Sequence, residues 1–421
     1  MTKRVFFLTG DWVALHRLMY GETSVPEGMP SVYLPWLRYQ AHGYEVHVLY
    51  LENYPNTPEF SRAVDFEGVQ IHRVRRPTFF QWFNKNSVFR FRFPMDIIVM
   101  YRAACKLAQS EGAPSIIYTL EPWLGPATWL LGQKYKALTV HRSYGTWLYY
   151  DWFKSGDWRR RIACIPHFAM MKVPHDLMVI SNDGTEGDRL ADFLRIPRER
   201  VYMRMNGVNK EWQCDPLRSE NLRKQLNIDA GEFVLLCLSR LSSWKRQDRV
   251  ISAMPEIVKH IDNARLVLVG DGPMREKLAQ QAASLGVEKK VLFTGMIPHE
   301  QARDYMGIAD IFLQTNDLSC LGNSLLEAVI CGCAIITWDV GTTHDLIKGG
   351  LNGILLPNGD PETISEAVID LYRDPVKREA LANGARKYAI EHLEDWDQRL
   401  DWEINEVEAL LAGHGKRAGN T

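Results

Sequence analysis

The feature that most constrains this chain is an alternation that runs through it twice. Short runs rich in Val, Ile and Leu are separated by longer stretches of helical period. These runs are apolar without strict period-two alternation, which is the pattern of strands covered on both faces. Helical stretches between such strands build parallel βαβ units. The first series is expected at 4–9, 44–49, 69–74, 115–119, 137–141, 176–181 and 201–204. The second is expected at 233–239, 265–269, 291–294, 311–314, 334–337 and 353–356. The expectation is an α/β chain with two doubly wound, Rossmann-like domains, in which ligands sit outside the carboxyl ends of the strands. A length of 421 residues is too great for one ordinary core, and a hydrophobic fraction of 46% is enough to fill two.

The division falls after the first series. Asn206-Gly207 is a turn signal, and the chain then stays polar up to Gly231. This predicts an N-terminal domain over 1–209, a second domain over 210–385 and a closing segment over 386–421. Trp396, Leu400, Ile404 and Val407 recur at helical spacing, which predicts one helix over about 386–412 that returns to the first domain. The tail GHGKRAGNT is expected to fray.

Charge separates the halves. Residues 1–205 hold 26 Lys/Arg and 19 Asp/Glu, and the remainder holds 24 and 32. A total of −1 excludes a uniformly basic nucleic-acid binder, so no nucleic acid is expected as a partner. The basic half instead favours an anionic partner or an anionic membrane surface. Residues 73–93 and 147–161 interleave Arg and Lys with Trp, Tyr and Phe. Such segments suit amphipathic rings settled among headgroups. They also suit an Arg-capped loop whose aromatics fill the domain's own core. No stretch approaches 18 uninterrupted apolar residues, and the apolar run after MTKR is short for a signal peptide. The expectation is a cytoplasmic chain, peripheral at the inner membrane face. Seven scattered cysteines read as reduced, buried thiols, and Cys331-Gly-Cys333 lacks the second pair a zinc site needs.

The chemistry concentrates between Val234 and Gly359. Arg240 and Lys245 follow a strand, in LSRLSSWKR. A guanidinium fork and an ammonium just past a strand's carboxyl end suit a diphosphate, although a solvated basic loop reads the same way. Further on, DLSCLGNSLLEA brings Gly322 and Asn323 into a helix that starts near Ser324. Free N–H groups and the helix dipole there favour an anion. Glu327, one turn inside, suits a bidentate bond to a ribose diol, or else stabilises the helix start.

Together the segments LSRLSSWKR, VLVGDGPMRE, VLFTGMIPHEQ, DLSCLGNSLLEAVICGCAII and GILLPNGDPETISEAV resemble the nucleotide-binding half of glycosyltransferase family 4. They come in that family's order and spacing over residues 206–375. The N-terminal half resembles the family more loosely, through Gly43-Tyr44-Glu45-Val46 and His141. The resemblance implies a GT-B fold, two Rossmann-like domains facing a cleft, and retaining transfer from a nucleoside-diphosphate sugar of UDP or GDP type. It implies that Arg240 and Lys245 hold the donor diphosphate and stabilise the leaving nucleotide. Glu327 matches the ribose ligand, and Gly322 the inner glycine of the same motif. Asn323, Ser324 and Leu325 open the helix between them. Gly295 lies in the loop that meets the base. His141 matches a histidine near the reacting sugar, which orients or stabilises and is not a nucleophile. Gly270-Asp271-Gly272-Pro273 matches a structural turn.

The chain departs from the pattern in three places. The Glu that contacts the donor sugar is Ser319 here, with Asp317 two residues earlier as a substitute. The family's Gly-Gly loop is represented by Gly28 alone. Where many members carry a further Glu, Asp345 stands. No Asp-x-Asp sits at a strand end. Two cations and a helix N-terminus supply the charge a metal supplies elsewhere, so no metal and no other cofactor is expected. The resemblance implies a glycan or lipid-linked acceptor, in cell-envelope polysaccharide or glycolipid synthesis, and the basic, aromatic first half suits an anionic one. Ser319 leaves open a catalytically weak nucleotide-sugar-binding subunit that supports an active partner. A GT-B phosphorylase or epimerase is the other alternative.

Overall fold

In a computed structural model of the chain, the residues described are 3–10, 15, 18–19, 30–52, 60–76, 92–144, 147–318 and 320–418. Every expected strand forms, and the chain divides into two compact units. The first comprises residues 1–182, 186–205 and 397–421; the second comprises 183–185 and 206–396.

In the first unit the strands are β1 (Arg4–Thr9), β2 (Glu45–Glu52), β3 (Phe60–Phe66), β4 (Val69–Arg75), β5 (Ile116–Thr119), β6 (Leu138–Ser143), β7 (Leu177–Ser181) and β8 (Val201–Arg204). They form one eight-stranded sheet in the order β3-β4-β2-β1-β5-β6-β7-β8. All neighbours are parallel except β3 and β4. Strand β3 is the element that the apolar runs did not reveal. It is an edge strand joined to β4 by a two-residue turn at Glu67 and Gly68, both at positive φ, the turn that matches strand twist in a hairpin. The helices that matter below are α1 (Pro30–Ala41), α2 (Arg92–Glu111), α3 (Gly125–Tyr135) and α4 (Trp158–Met171).

The second unit holds β9 (Phe233–Leu238), β10 (Ala264–Val269), β11 (Val291–Gly295), β12 (Ile311–Gln314), β13 (Ile335–Trp338) and β14 (Ile354–Leu356). They form an all-parallel sheet in the order β11-β10-β9-β12-β13-β14. The order reverses direction at β9, between β10 and β12, so the carboxyl end of β9 is the topological switch point where such sheets bind ligands. Helix α5 (Gln247–His260) follows β9, and α6 (Asn323–Cys331) follows β12. Leu235, Cys237, Val250, Met254 and Leu268 lie in the core that α5 covers.

The single helix expected over 386–412 is two helices, α7 (Pro375–His392) and α8 (Trp396–Ala418). The break has a cause. The Glu394 carbonyl accepts from Val208 N–H at 3.0 Å, and Trp396 N–H donates to the Val208 carbonyl at 3.2 Å, so the connecting backbone pairs as a bridge instead of continuing the helix. Asp395, expected inside the last helix, lies in this break. From Asp397 onward α8 belongs to the first unit, where Leu400 is buried and Ile404 and Val407 share a core with Phe7, Trp36 and Tyr118. It extends to Ala418, into the segment expected to fray. Among the described residues no helix is long and apolar enough to cross a membrane.

Candidate active site

The loop after β9 is shaped by its neighbours. Leu241 N–H donates to the Asp271 carbonyl at 2.9 Å, and Met274 N–H to the Leu241 carbonyl at 3.1 Å. Gly270 and Gly272 sit at φ +124° and +157°. A Cβ on either would fall 2.2 Å from the Ser239 carbonyl oxygen or 2.3 Å from that of Leu241. The Gly-Asp-Gly turn is therefore backbone packed on backbone, supporting the segment that presents Arg240. Gly295 ends β11 at φ +80°, and its carbonyl accepts from Gly270 N–H at 2.8 Å.

Arg240 is exposed at the start of this loop. Lys245 closes it and is nearly buried, at 9% exposure. Its ammonium lies 4.6 Å from the centroid of the Trp244 ring. Burial pulls its pKa down to about 8, opposed by the charge of Asp183 and by Cys320. Lys245, Ser239 and Gln247 line a small cavity together with Thr315 and Asn316, which follow β12. Gln247 donates from Nε2 to Ser239 Oγ at 2.8 Å, and its buried Oε1 has no hydrogen-bond partner. The desolvated Lys245 cation at a strand-end cavity is the part of this arrangement that an anion completes, whereas Gln247 Oε1 would take a donor such as a hydroxyl.

Asp317, the substitute expected for the missing carboxylate, is ion-paired on both oxygens. Arg246 Nη1 reaches its Oδ2 at 2.9 Å and Arg249 Nη1 its Oδ1 at 2.7 Å. Both oxygens are committed to guanidiniums, which lock the loop after β12 to the loop after β9. Asp317 N–H also donates to the Trp244 carbonyl at 2.9 Å. Ser319 lies outside the described residues.

Gly322 caps α6. Its carbonyl takes the N–H of Leu325 at 3.0 Å and of Leu326 at 3.3 Å, so Asn323 and Ser324 carry the first outward N–H groups. The Asn323 side chain is held by Asn206 at 2.8 Å. Glu327, one turn inside the helix, is buried, and its Oε1 lies 2.7 Å from His299 Nε2. His299 begins the turn after β11 and its ring lies against Trp212, with centroids 5.0 Å apart. Sequence reasoning missed both residues. A lone His in MIPHEQ and a Trp in a polar linker carry no periodic or spacing signal, and only the fold places them on α6. Asp345 lies in the short helix Thr343–Leu346, about half exposed.

In the first unit, His141 is fully buried in β6, and neither ring nitrogen has a hydrogen-bond partner. The ring meets that of His175 edge-on, with centroids 5.0 Å apart. Burial pulls its pKa down to about 4, so it is neutral near pH 7. It is not the backbone-satisfied histidine that a strand end admits. Gly28 lies outside the described residues, as do residues 77–91 of the first basic, aromatic segment. The second segment is described. Trp158, Ile162 and Ile165 form one exposed row on α4, at 64%, 43% and 52% exposure, beside Arg159, Arg160 and Arg161.

Two doubly wound sheets, one with its cations and a helix N-terminus at the switch point, define the GT-B class of fold. Solved structures agree on the fold. HepE of Anabaena, crystallised with UDP and glucose, superposes with a TM-score of 0.71 at 17% identity over 97% of this chain and 100% of its own. Two family models also match: a glycosyl transferase 4-like domain over residues 36–207 and glycosyl transferases group 1 over residues 218–388. The chain belongs to glycosyltransferase family 4. A curated relative, the GDP-mannose-dependent alpha-(1-6)-phosphatidylinositol monomannoside mannosyltransferase of Mycolicibacterium smegmatis, is 34% identical over 44% of this chain and 49% of its own length. The alpha-monoglucosyldiacylglycerol synthase of Streptococcus pneumoniae is 34% identical over 40% of this chain and 38% of its own. The chain spans about half the length of the curated relatives it matches first.

Proposed function

We propose that this chain is a retaining glycosyltransferase that moves a sugar from a nucleoside-diphosphate sugar to a lipid-linked or glycan acceptor without a metal ion. The observation that carries the reading is Lys245, a nearly buried ammonium with no carboxylate within ion-pair distance among the described residues, on the same loop as an exposed Arg240 at the switch point. A diphosphate completes that charge. Arg240 then takes one phosphate through its fork while Lys245 and the α6 N-terminus take the rest. Glu327 holds the ribose, and the backbone at Gly295 meets the base.

In the reaction, the acceptor hydroxyl oxygen bonds to the anomeric carbon from the side of the leaving group. The bond from that carbon to the diphosphate oxygen breaks, and its electron pair leaves with the nucleotide. The departing diphosphate accepts the hydroxyl proton. Arg240 and Lys245 are catalytic residues because they stabilise the charge that develops on the leaving group. His141 is kept neutral by burial, and its role is to orient or stabilise at the reacting sugar, which requires its ring, fully buried here, to become accessible. It carries no charge and forms no bond to carbon.

The lipid-linked acceptor is supported by the first unit. Among its described residues, every exposed large apolar side chain lies between Ile98 and Phe193, and residues 158–172 hold four Lys/Arg and no acid. The exposed row on α4, with its neighbouring arginines, suits the cytoplasmic surface of an anionic membrane. The two curated relatives named above carry lipid products or acceptors in their names, one of them with GDP-mannose as donor.

The test is a panel of UDP- and GDP-sugars, read for nucleotide release with and without a polyprenyl-phosphate or diacylglycerol acceptor. Product configuration is read by proton NMR. One donor turned over with its α-configuration kept supports the proposal. An inverted product excludes retention. Binding without release, with every acceptor, identifies a nucleotide-sugar-binding subunit instead.

A further inference from the structure

We infer that His299 is a positioning residue for the nucleotide ribose, acting through the Glu327 carboxylate; this rests on the ribose role proposed for Glu327. His299 Nε2 lies 2.7 Å from Glu327 Oε1, at side-chain exposures of 16% and 9%. A hydrogen bond this short between two nearly buried side chains fixes the carboxylate plane. It occupies one lone pair of Oε1 and leaves the other oxygen for a ligand, so the carboxylate meets a diol in one orientation. Without it the Glu327 side chain would have to order on binding, at a cost in rotamer freedom.

The histidine is itself held. Its ring lies against Trp212, tilted by 37°. Trp212 is fixed in turn, because Arg386 on α7 donates from Nη1 both to the Trp212 carbonyl and to the Ile330 carbonyl near the end of α6. Glu327 lies on that same helix. The contacts therefore close on themselves: α6 carries the carboxylate, α7 ties α6 to the 210–212 turn, and that turn seats the imidazole that returns to the carboxylate. His299 also sits four residues after Gly295, so the loop that would meet the base also sets the ribose ligand. The device couples two parts of one nucleoside.

The experiment compares UDP and GDP with their 2′,3′-dideoxy counterparts by calorimetric titration, in the wild-type chain, H299A and H299Q. The wild-type chain should prefer the ribonucleotide by roughly 10-fold or more, as a charge-assisted hydrogen bond predicts. In H299A this preference should fall several-fold, while affinity for the dideoxy nucleotide stays within about twofold. H299Q, whose amide N–H can reach the same oxygen, should restore it. Equal weakening of ribo and dideoxy nucleotides would show a merely structural role and overturn the inference. An unchanged preference in H299A would overturn it as well. No preference in the wild-type chain would instead remove the ribose role of Glu327, and the inference with it.

Discussion

At the scale of single residues, the site is built from groups that burial makes costly. The pKa of Lys245 is lowered from its ordinary 10.5 to about 8. The folded state therefore binds fewer protons than the unfolded state between pH 8 and 10.5, and stability rises with pH across that window. Below pH 8 the full cost of burying the cation is present, on the order of 3 kcal/mol. Lys245→Met should accordingly raise the unfolding free energy of the nucleotide-free chain at pH 7 by about 1–3 kcal/mol in a urea titration while nucleotide affinity falls; unchanged stability would mean that the ammonium is already solvated. His141 has the same sign and a lower window. Its folded pKa of about 4 lies below the unfolded value near 6.5, so the stability it contributes as a neutral ring is lost as pH falls from 6.5 to 4. His141→Gln should flatten the loss of unfolding free energy between pH 6.5 and 4.5 by about 2 kcal/mol. A loss identical to wild type would place the titration elsewhere. Arg240, Lys245 and Glu327 were legible in the sequence because each stands beside a strand or helix boundary that periodicity marks. Asp317 was read as available, and its pairing with Arg246 and Arg249 could not be seen, since ion pairs between loops depend on the fold that joins them.

At the scale of elements, the strands were legible because a parallel sheet buries both faces and writes continuous apolar runs. Strand β3 escaped because an edge strand is covered less and can be polar. The break between α7 and α8 escaped for a related reason. Leu393, Glu394 and Asp395 do not interrupt the helical period, and what stops the helix is a backbone pairing with Val208, far away in sequence. The loop after β9 makes a prediction at this scale. Gly270→Ala places a Cβ 2.2 Å from the Ser239 carbonyl at a φ that L-residues rarely adopt. The Arg240 segment must shift to relieve it. Donor KM should rise at least 10-fold in steady-state assays, with a stability loss of about 2–4 kcal/mol. An unchanged KM would show that this turn does not set the position of Arg240.

At the scale of the whole molecule, the two units divide the charge: 29 basic against 23 acidic residues in the first, and 21 against 28 in the second. The excess of bases in the first part coincides with its exposed apolar row on α4. Tryptophan at the water–lipid boundary and arginine among anionic headgroups act together on such a face. In a flotation assay the chain should rise with phosphatidylglycerol vesicles, much less with phosphatidylcholine vesicles, and less at 0.5 M salt. Trp158→Ser combined with Ile162→Ser should abolish flotation and leave nucleotide affinity intact. Salt-independent binding, or none, would remove the membrane from the proposal. The proposed function rests on the grip of Arg240 and Lys245 on a diphosphate at the switch point of the second unit. Its most direct measurement is calorimetric titration of the preferred nucleoside diphosphate into the wild-type chain, Arg240→Ala and Lys245→Met at pH 7. Each loses a charge-assisted contact worth about 1.5–3 kcal/mol, so affinity should fall roughly 10- to 100-fold in each. Wild-type affinity in both variants would contradict the claim.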